Sequence, residues 1–161
     1  MKIFIYESAD PKKYAANFFA DAFFKYTGKD FSPEQYEKLP RESSGKPKPI
    51  ENTHFSISHS DKYWGIALSN KPVGLDLQSK TNHGKPRDFS MRALQKILAP
   101  EEKIIDQNPL NNFVAKEAYS KLTGKGLSIG FSKLNANELI KKYHHYHLDD
   151  ENIILYAFVK P

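Results

Sequence analysis

Apolar and polar residues alternate in several short stretches of the chain, which is typical of β-strands with one buried face. In one such stretch Val73, Leu75 and Leu77 share one face, and Asp76 and Gln78 lie next to each other on the opposite face. A continuous apolar run near the C-terminus predicts a strand that is buried on both faces. Strands are predicted over residues 2–6, 54–58, 63–69, 73–78 and 152–159, with a further alternation through Leu127, Ile129 and Phe131.

Apolar residues at helical spacing predict four helices. The first is expected to begin at Asp10 and Pro11, an N-cap followed by proline, and to end at Gly28. The longest of the later helices is expected to begin at Asn111 or Asn112 and to end before Gly124, and it places Glu117 beside Lys121. Two shorter helices are predicted over residues 89–98 and 100–106, whereas residues 135–148 fit neither period.

Length and composition limit the class of protein. A chain of 161 residues with 39% hydrophobic residues can form one domain or two small lobes. No apolar run approaches the roughly 18 residues of a membrane span, and residues 1–6 lack the layout of a secretory signal, so we expect a cytoplasmic protein without a membrane partner. The absence of cysteine excludes disulfides, thiolate metal sites and cysteine nucleophiles.

The balance of charge favours an anionic partner. The chain carries 24 Lys and Arg against 19 Asp and Glu, a formal net charge of +5. The positive residues are scattered and form no basic block, so no nucleic-acid arm is indicated.

Asp76 and Glu117 are candidate ligands for a divalent cation. Mg²⁺ is held by one or two carboxylates together with water and substrate phosphates, and these two acids come from separate elements. The same residues also fit a simpler interpretation, in which Asp76 is a solvated strand residue and Glu117 forms an ordinary helix pair with Lys121.

Two further groups could carry chemistry. Lys46 and Lys48, in a loop over residues 39–53, together with the Ser58-His59-Ser60 run, could hold a phosphate, although each is also an ordinary turn or surface residue. His145 and His147 would share one strand face and could chelate a soft metal, but no third ligand accompanies them in sequence. His54, His59 and His83 have no acid or nucleophile partner in sequence, and residues 123–126 (TGKG) follow a helix and indicate its end.

The order of the motifs adds a family resemblance. The segments are GKP at 45–47, FSISHS at 55–60, VGLDLQ at 73–78, FVAKEAYSKL at 113–122 and GKGLSI at 124–129. This succession, over about half of the chain, resembles the surfactin-synthetase-activating type of 4′-phosphopantetheinyl transferase. Such enzymes move the phosphopantetheine arm of coenzyme A to a serine of an acyl or peptidyl carrier protein. The resemblance implies Mg²⁺ as cofactor, coenzyme A as co-substrate and an acidic apo carrier protein as partner.

The resemblance also implies residue roles. Asp76 and Glu117 would hold magnesium, Glu117 would accept the proton of the carrier serine, and Lys121 would neutralise the phosphates or protonate the leaving group. The residues implied to contact coenzyme A are Lys46, Ser58, His59, Lys116 and Lys121.

The sequence departs from the family pattern in two places. Many members carry a third acid two residues after the aspartate, where this chain has Gln78, whose amide oxygen could ligate the metal directly or through water. The stretch before residue 45 is also shorter than in longer members, and Arg41 or Lys48 could replace the basic residues found there.

The implied fold is α+β. It has two similar lobes related by a pseudo-twofold axis, each a small antiparallel sheet packed on a long helix, with the active site between them. We place the lobes at residues 1–78 and 79–161 and expect a monomer. The alternative interpretation is a non-catalytic relative that binds coenzyme A or a carrier protein, or a basic nucleic-acid-binding module.

Overall fold

The computed structural model describes residues 1–43, 45–82, 84–87, 89–125 and 130–161. In chain order its elements are β1 (Lys2–Glu7), α1 (Ala15–Thr27), α2 (Pro33–Glu37), β2 (His54–Ser60), β3 (Tyr63–Ser69), β4 (Val73–Ser79), β5 (Thr81–Asn82), β6 (Lys85–Pro86), α3 (Met91–Ile97), a 3₁₀ turn (Ile105–Gln107), α4 (Pro109–Thr123), a second 3₁₀ turn (Phe131–Lys133), α5 (Ala136–Lys142), β7 (His144–Asp149) and β8 (Ile153–Val159).

Two antiparallel three-stranded sheets form the centre of the molecule. Their strand orders are β1-β3-β2 and β4-β8-β7, so β3 and β8 are the central strands. Both central strands are buried along their whole length, because each sheet is covered on both faces. This explains the continuous apolar run in β8, whose odd and even residues pack into different clusters.

Each sheet carries a long helix on its outer face. On the first sheet, Phe19 and Phe23 of α1 pack against Trp64 and Ile66 of β3. On the second sheet α4 packs against the even residues of β8, which are Ile154, Tyr156 and Phe158. A third cluster lies between the sheets and joins apolar residues of β3, β4 and β8. The α+β prediction is therefore confirmed.

Gly74 allows α4 to lie directly on β4. A methyl group at position 74 would lie 2.7 Å from Cα of Leu122, and closer still to the carbonyl oxygen of Ala118 and the amide nitrogen of Leu122. Only a residue without a side chain permits this approach. Asp76 is two residues further along the same face and therefore also lies beneath the helix.

Several sequence predictions are confirmed and others are corrected. The predicted strands at 2–6, 54–58, 63–69, 73–78 and 152–159 are present, and β2 continues two residues beyond its predicted end, to Ser60. The first α-helix begins at Ala15 and not at Pro11, because Asp10 caps only a preceding turn by accepting from the amide of Lys13 at 3.1 Å. Residues 100–106 contain no α-helix within this described stretch and end in a 3₁₀ turn.

The remaining stretches are now assigned. Residues 135–148, which the sequence left ambiguous, form α5 and most of β7. Phe131 lies in a 3₁₀ turn, and the rest of the predicted alternation, at Leu127 and Ile129, lies outside the described residues. The division at residues 78 and 79 stays a prediction, and β4, which precedes that boundary, pairs with β8, which follows it.

Candidate active site

Asp76 is the centre of a buried polar group. Its side chain is 3% exposed, and the neighbouring strand β2 and the last turn of α4 both reach it. The hydroxyl of Ser58 donates to Oδ1 at 2.7 Å, and Nζ of Lys121 donates to the same oxygen at 2.8 Å. The other oxygen, Oδ2, accepts a hydrogen bond from the side-chain amide nitrogen of Gln78 at 3.3 Å. A buried carboxylate requires such donors, since leaving it unpaired costs several kcal/mol.

The ends of α4 fix the position of Lys121. The helix starts at Pro109, with Asn108 as its N-cap accepting from the amide of Leu110 at 3.0 Å, and it ends at Gly124 in the left-handed conformation. The predicted start at Asn111 or Asn112 is wrong, because both side chains are buried and bind other elements.

Glu117 lines the wall of a cavity. Burial raises the pKa of its carboxyl group, the negative charge of Asp76 raises it further, and the Lys121 ammonium lowers it in part. Within the described part of the chain, no hydrogen bond or ion pair reaches the Glu117 carboxylate, and Glu117 lines the cavity wall. The structure therefore brings two carboxylates and one ammonium within electrostatic reach of one another.

The cavity has a volume of about 450 Å³ and extends away from Glu117 and Lys121. Arg41 and Lys46 line its other part, and a second cavity of about 370 Å³ adjoins it across Lys46. Nζ of Lys46 donates to the carbonyls of Leu122 at 3.1 Å and Val73 at 3.2 Å, and burial lowers its pKa. Arg41 lies on the cavity wall and Lys48 is not among its lining residues. The site can accommodate a polyanion between cationic side chains.

The donor set fits a hard divalent cation. Asp76 and Glu117 supply carboxylate oxygens, the ligand type that Mg²⁺ prefers. The Gln78 side chain donates its amide nitrogen to Asp76, and its oxygen accepts from the Ser60 hydroxyl at 3.2 Å. The electrostatic repulsion that contributes to the raised pKa of Glu117 is the interaction that such a cation would relieve.

Two residues implied to bind coenzyme A lie beside the cavity, not on its wall. The Ser58 hydroxyl is bound to Asp76, and Ser58 is 6% exposed. His59 points to the opposite face of β2 and is exposed. Partial desolvation of its imidazole ring by the surrounding side chains still lowers its pKa, and the positive charges of Lys12 and Lys121 lower it further.

The expectation that Lys116 contacts coenzyme A stays a prediction, and the structure gives Lys116 a different set of partners. Its side chain is completely buried, and its ammonium donates to the carbonyls of Ile97 at 2.6 Å and Phe131 at 3.1 Å and pairs with Glu102. Every donor of this ammonium is therefore used within the fold, and Lys116 does not line the cavity.

Sequence reasoning missed Glu102. Its carboxylate accepts from the amides of Ala99 at 2.7 Å and Ala136 at 3.0 Å and from the side chain of Asn112 at 2.8 Å, besides pairing with Lys116. The two glutamates after Pro100 indicated a helix start, which hid this role. Glu102 joins α4 to the segments on both sides of it.

One histidine of the motif, His147, lies close to two acids that could ligate a metal with it, and one of these acids is already bound to other side chains. Ligand atoms of Asp106, His147 and Asp149 lie within 4.8 Å of one another, whereas His145 is not in this group. Asp149 pairs with Lys80 at 2.5 Å and accepts from Asn111 at 2.9 Å. His83 lies outside the described residues, as does the part of the glycine motif from 126 to 129.

No helix among the described residues has the length and apolar character needed to cross a membrane.

Comparison with known proteins identifies relatives. No protein-family model matches the chain. The chain is 34% identical over 104 residues to 4′-phosphopantetheinyl transferase psf-1 of Bacillus pumilus, a match that covers 59% of this chain and 43% of the relative. It is 31% identical over 94 residues to 4′-phosphopantetheinyl transferase gsp of Aneurinibacillus migulanus, covering 53% and 37%. The matched regions thus span less than half the length of these relatives. Over those regions the chain is similar in sequence to 4′-phosphopantetheinyl transferases.

Proposed function

We propose that the protein transfers the 4′-phosphopantetheine arm of coenzyme A to a serine of an apo carrier protein, in a magnesium-dependent reaction. The observation that carries this proposal is the ion pair between the buried Asp76 of β4 and Lys121 of α4. Lys121 in turn lines a cavity together with Glu117, Arg41 and Lys46. The named relatives supply the type of reaction.

In the proposed reaction the serine oxygen attacks the phosphorus next to the pantetheine arm. A new P–O bond forms to the serine, the phosphoanhydride bond of coenzyme A breaks, and 3′,5′-adenosine bisphosphate leaves. Glu117 accepts the serine proton, directly or through a water, and its raised pKa makes it a better base than an ordinary glutamate. Bound Mg²⁺ would stabilise the charge that develops on the phosphates.

The basic residues of the cavity bind and orient coenzyme A in this proposal. Lys121 lies close enough to Asp76 to neutralise negative charge there, and its side chain is 32% exposed, so it can also reach substrate phosphates. Arg41 and Lys46 face the remainder of the nucleotide, and His59 stays a candidate for the 3′-phosphate. The ligands proposed for the cation are Asp76 and Glu117, with Gln78 as a neutral third donor.

An acidic apo carrier protein is the proposed partner. The net charge of +5 favours its encounter with the protein, which raises the association rate more than the affinity. A monomeric state stays a prediction.

Mass spectrometry tests the proposal. Purified protein, coenzyme A and Mg²⁺ are incubated with each of several apo carrier proteins, and we expect a carrier that is heavier by one phosphopantetheine arm. Asp76→Asn and Glu117→Gln should abolish the product, while Glu138→Gln, which removes one partner of an exposed pair on α5, should leave it unchanged. Full activity of either site variant would refute the assigned metal ligands, and no product with any carrier would contradict the transfer itself.

The same assay distinguishes the second candidate, a non-catalytic relative. Gln78 favours that interpretation, because it replaces an acid with a neutral amide that already donates to Asp76. Such a protein would be stabilised against heat by coenzyme A and would leave every carrier unmodified.

A further inference from the structure

The buried side chain of Ser60 joins the end of β2 to the end of β4. Its hydroxyl oxygen accepts from the backbone amide of Ser79 at 3.0 Å and from Nη2 of Arg87 at 3.3 Å. Neither of these nitrogens can accept a proton, so both lone pairs of the oxygen are occupied and its single proton is left for another acceptor. The side-chain oxygen of Gln78, at 3.2 Å, accepts that proton.

Arg87 is held in place although it lies at the surface. Its Nε donates to the backbone carbonyl of Ser79 at 2.8 Å, and its backbone amide donates to the carbonyl of Lys80 at 2.8 Å. These two bonds fix the guanidinium against the residues that follow β4. Its contact with Ser60 is therefore supported by the backbone and does not depend on a freely moving side chain.

The orientation of the Gln78 side-chain amide is fixed from two sides. On one side Ser60 has only a proton to offer, so the oxygen of the amide faces Ser60. On the other side the carboxylate of Asp76 can only accept, so the nitrogen of the amide faces Oδ2, at 3.3 Å. A half-turn of the amide would place its nitrogen against the Ser60 proton and its oxygen against a carboxylate, and both hydrogen bonds would be lost.

We propose that Gln78 is a positioning residue that acts on the divalent cation through Asp76, and that Ser60 and Arg87 hold it in that role. Its N–H group orients the carboxylate, as outer-shell hydrogen bonds orient ligands in metal sites. Its oxygen is held by Ser60 and does not enter the coordination shell. Gln78, the neutral third donor of the proposed site, therefore acts indirectly. This inference rests on the proposed function, which supplies the cation.

Two other roles for Gln78 give different results when the residue is replaced by leucine. A direct ligand takes the place of one water molecule on the cation, so Gln78→Leu would weaken binding and add one water. A bystander would leave both the affinity and the number of bound waters unchanged. For a positioning residue, Gln78→Leu should weaken binding about tenfold or more, the usual effect of losing an outer-shell partner, and leave the number of waters unchanged.

The experiment measures Mn²⁺ binding by electron paramagnetic resonance, with neither coenzyme A nor a carrier present. Mn²⁺ replaces Mg²⁺ because both prefer oxygen ligands. Titration gives the affinity, and electron spin echo envelope modulation in D₂O gives the number of waters on the ion. The matched control is Ser56→Ala, because Ser56 is another buried serine of β2 that accepts from an amide of β4, that of Leu75 at 2.9 Å. This control should leave the affinity and the number of waters unchanged.

Ser60→Ala tests what fixes the amide. Without the hydroxyl proton the amide oxygen can turn toward the cation, so we expect one water fewer on Mn²⁺ than in the wild type. Gln78→Glu reaches the same result by another route, because a carboxylate cannot donate to Asp76 and offers its oxygens to the cation. It should also lose one water, and it keeps the comparison available if Ser60→Ala does not fold.

Three results would overturn the inference. These are wild-type Mn²⁺ affinity in Gln78→Leu, an added water in Gln78→Leu, and an unchanged number of waters in either Ser60→Ala or Gln78→Glu. A wild type that binds no Mn²⁺ would overturn it together with the assigned cation site. A wild type that binds Mn²⁺ but modifies no carrier would contradict the proposed transfer, while the number of waters would still decide the role of Gln78.

Discussion

Nζ of Lys121 lies 2.8 Å from Oδ1 of Asp76 and so joins the last turn of α4 to the middle of β4. The two residues are 45 positions apart in sequence, and the packing of α4 over Gly74 brings them together. Asp76 is almost completely buried, and this ammonium and the Ser58 hydroxyl replace hydrogen bonds that water would otherwise make to its carboxylate.

Lys121→Met should reduce transfer about 100-fold, because the variant loses the only cation paired with Asp76 among the described residues and with it a donor to the phosphates. The variant is compared with Lys141→Met, which removes an exposed lysine that pairs with Glu138 at 3.1 Å. Product is measured by carrier mass at saturating coenzyme A, and folding is checked by urea denaturation. A Lys121→Met protein that is folded and as active as Lys141→Met would contradict the role of Lys121.

Gly74→Ala should lower the free energy of unfolding by about 3 kcal/mol or more, at the upper end of overpacking costs, because the added methyl meets backbone atoms of α4. Backbone cannot rotate away as a side chain can, so α4 would have to move off β4. Transfer should fall as well, since this movement separates Lys121 from Asp76. Chemical denaturation gives the stability change.

The matched control for this substitution is Gly65→Ala on β3. There the closest atom to an added methyl is Cδ1 of Leu77, at 3.2 Å, the end of a flexible side chain. We expect a smaller loss of stability than at Gly74. Equal losses at the two positions would show that α4 does not depend on the absence of a side chain at residue 74.

Local periodicity was enough to predict the strands and the face of β4 that carries Asp76 and Gln78. It could not predict what covers that face, because the contact with α4 depends on tertiary packing. The alternation that placed Asp76 opposite Leu75 and Leu77 is equally compatible with a solvated aspartate, and only the fold decides between the two.

Lys116 and Ser58 show the limits of a motif. The family resemblance implied that Lys116 contacts coenzyme A, and a lysine on a helix is rarely buried. The partner that allows its burial, Glu102, lies 14 residues earlier, in a segment where the sequence predicted a helix and the structure has only a 3₁₀ turn. Ser58 lies in a run that indicated phosphate binding, which stays a prediction. In the structure its hydroxyl donates to Asp76, on a strand of the other sheet, a contact that the sequence did not indicate.

Lys116→Met should destabilise the protein by about 3–5 kcal/mol, because Glu102 would be left as a buried carboxylate without its cation. The double variant Lys116→Met, Glu102→Gln should recover part of this loss, since the remaining amide is neutral and its single oxygen can still accept from Ala136 and Asn112. The recovery is partial because the amide nitrogen would then face the backbone amide of Ala99. Urea denaturation of the single and double variants gives the coupling. Strictly additive losses in the two single variants and the double variant would show that the pair does not act as a unit.

Stability should also decrease in acid at the Asp149 site. Burial alone would raise the pKa of Asp149, but hydrogen bonds from Lys80 and Asn111 and the charges of Lys80 and His147 outweigh it, so the folded-state pKa lies below the ordinary value. A depressed carboxyl pKa contributes stability that is complete above the unfolded pKa, about 3.9 for aspartate, and is lost as the pH falls through the folded value.

Thermal unfolding from neutral pH down to acid should therefore show a smaller decrease in Tm for Asp149→Asn than for the wild type. The control is Asp150→Asn, which should follow the wild-type curve more closely. Asp150 is exposed, and it accepts only from the backbone amides of Asn152 and Ile153 among the bonds described. Parallel curves for the wild type and Asp149→Asn would contradict the assignment of acid sensitivity to the Lys80–Asp149 pair.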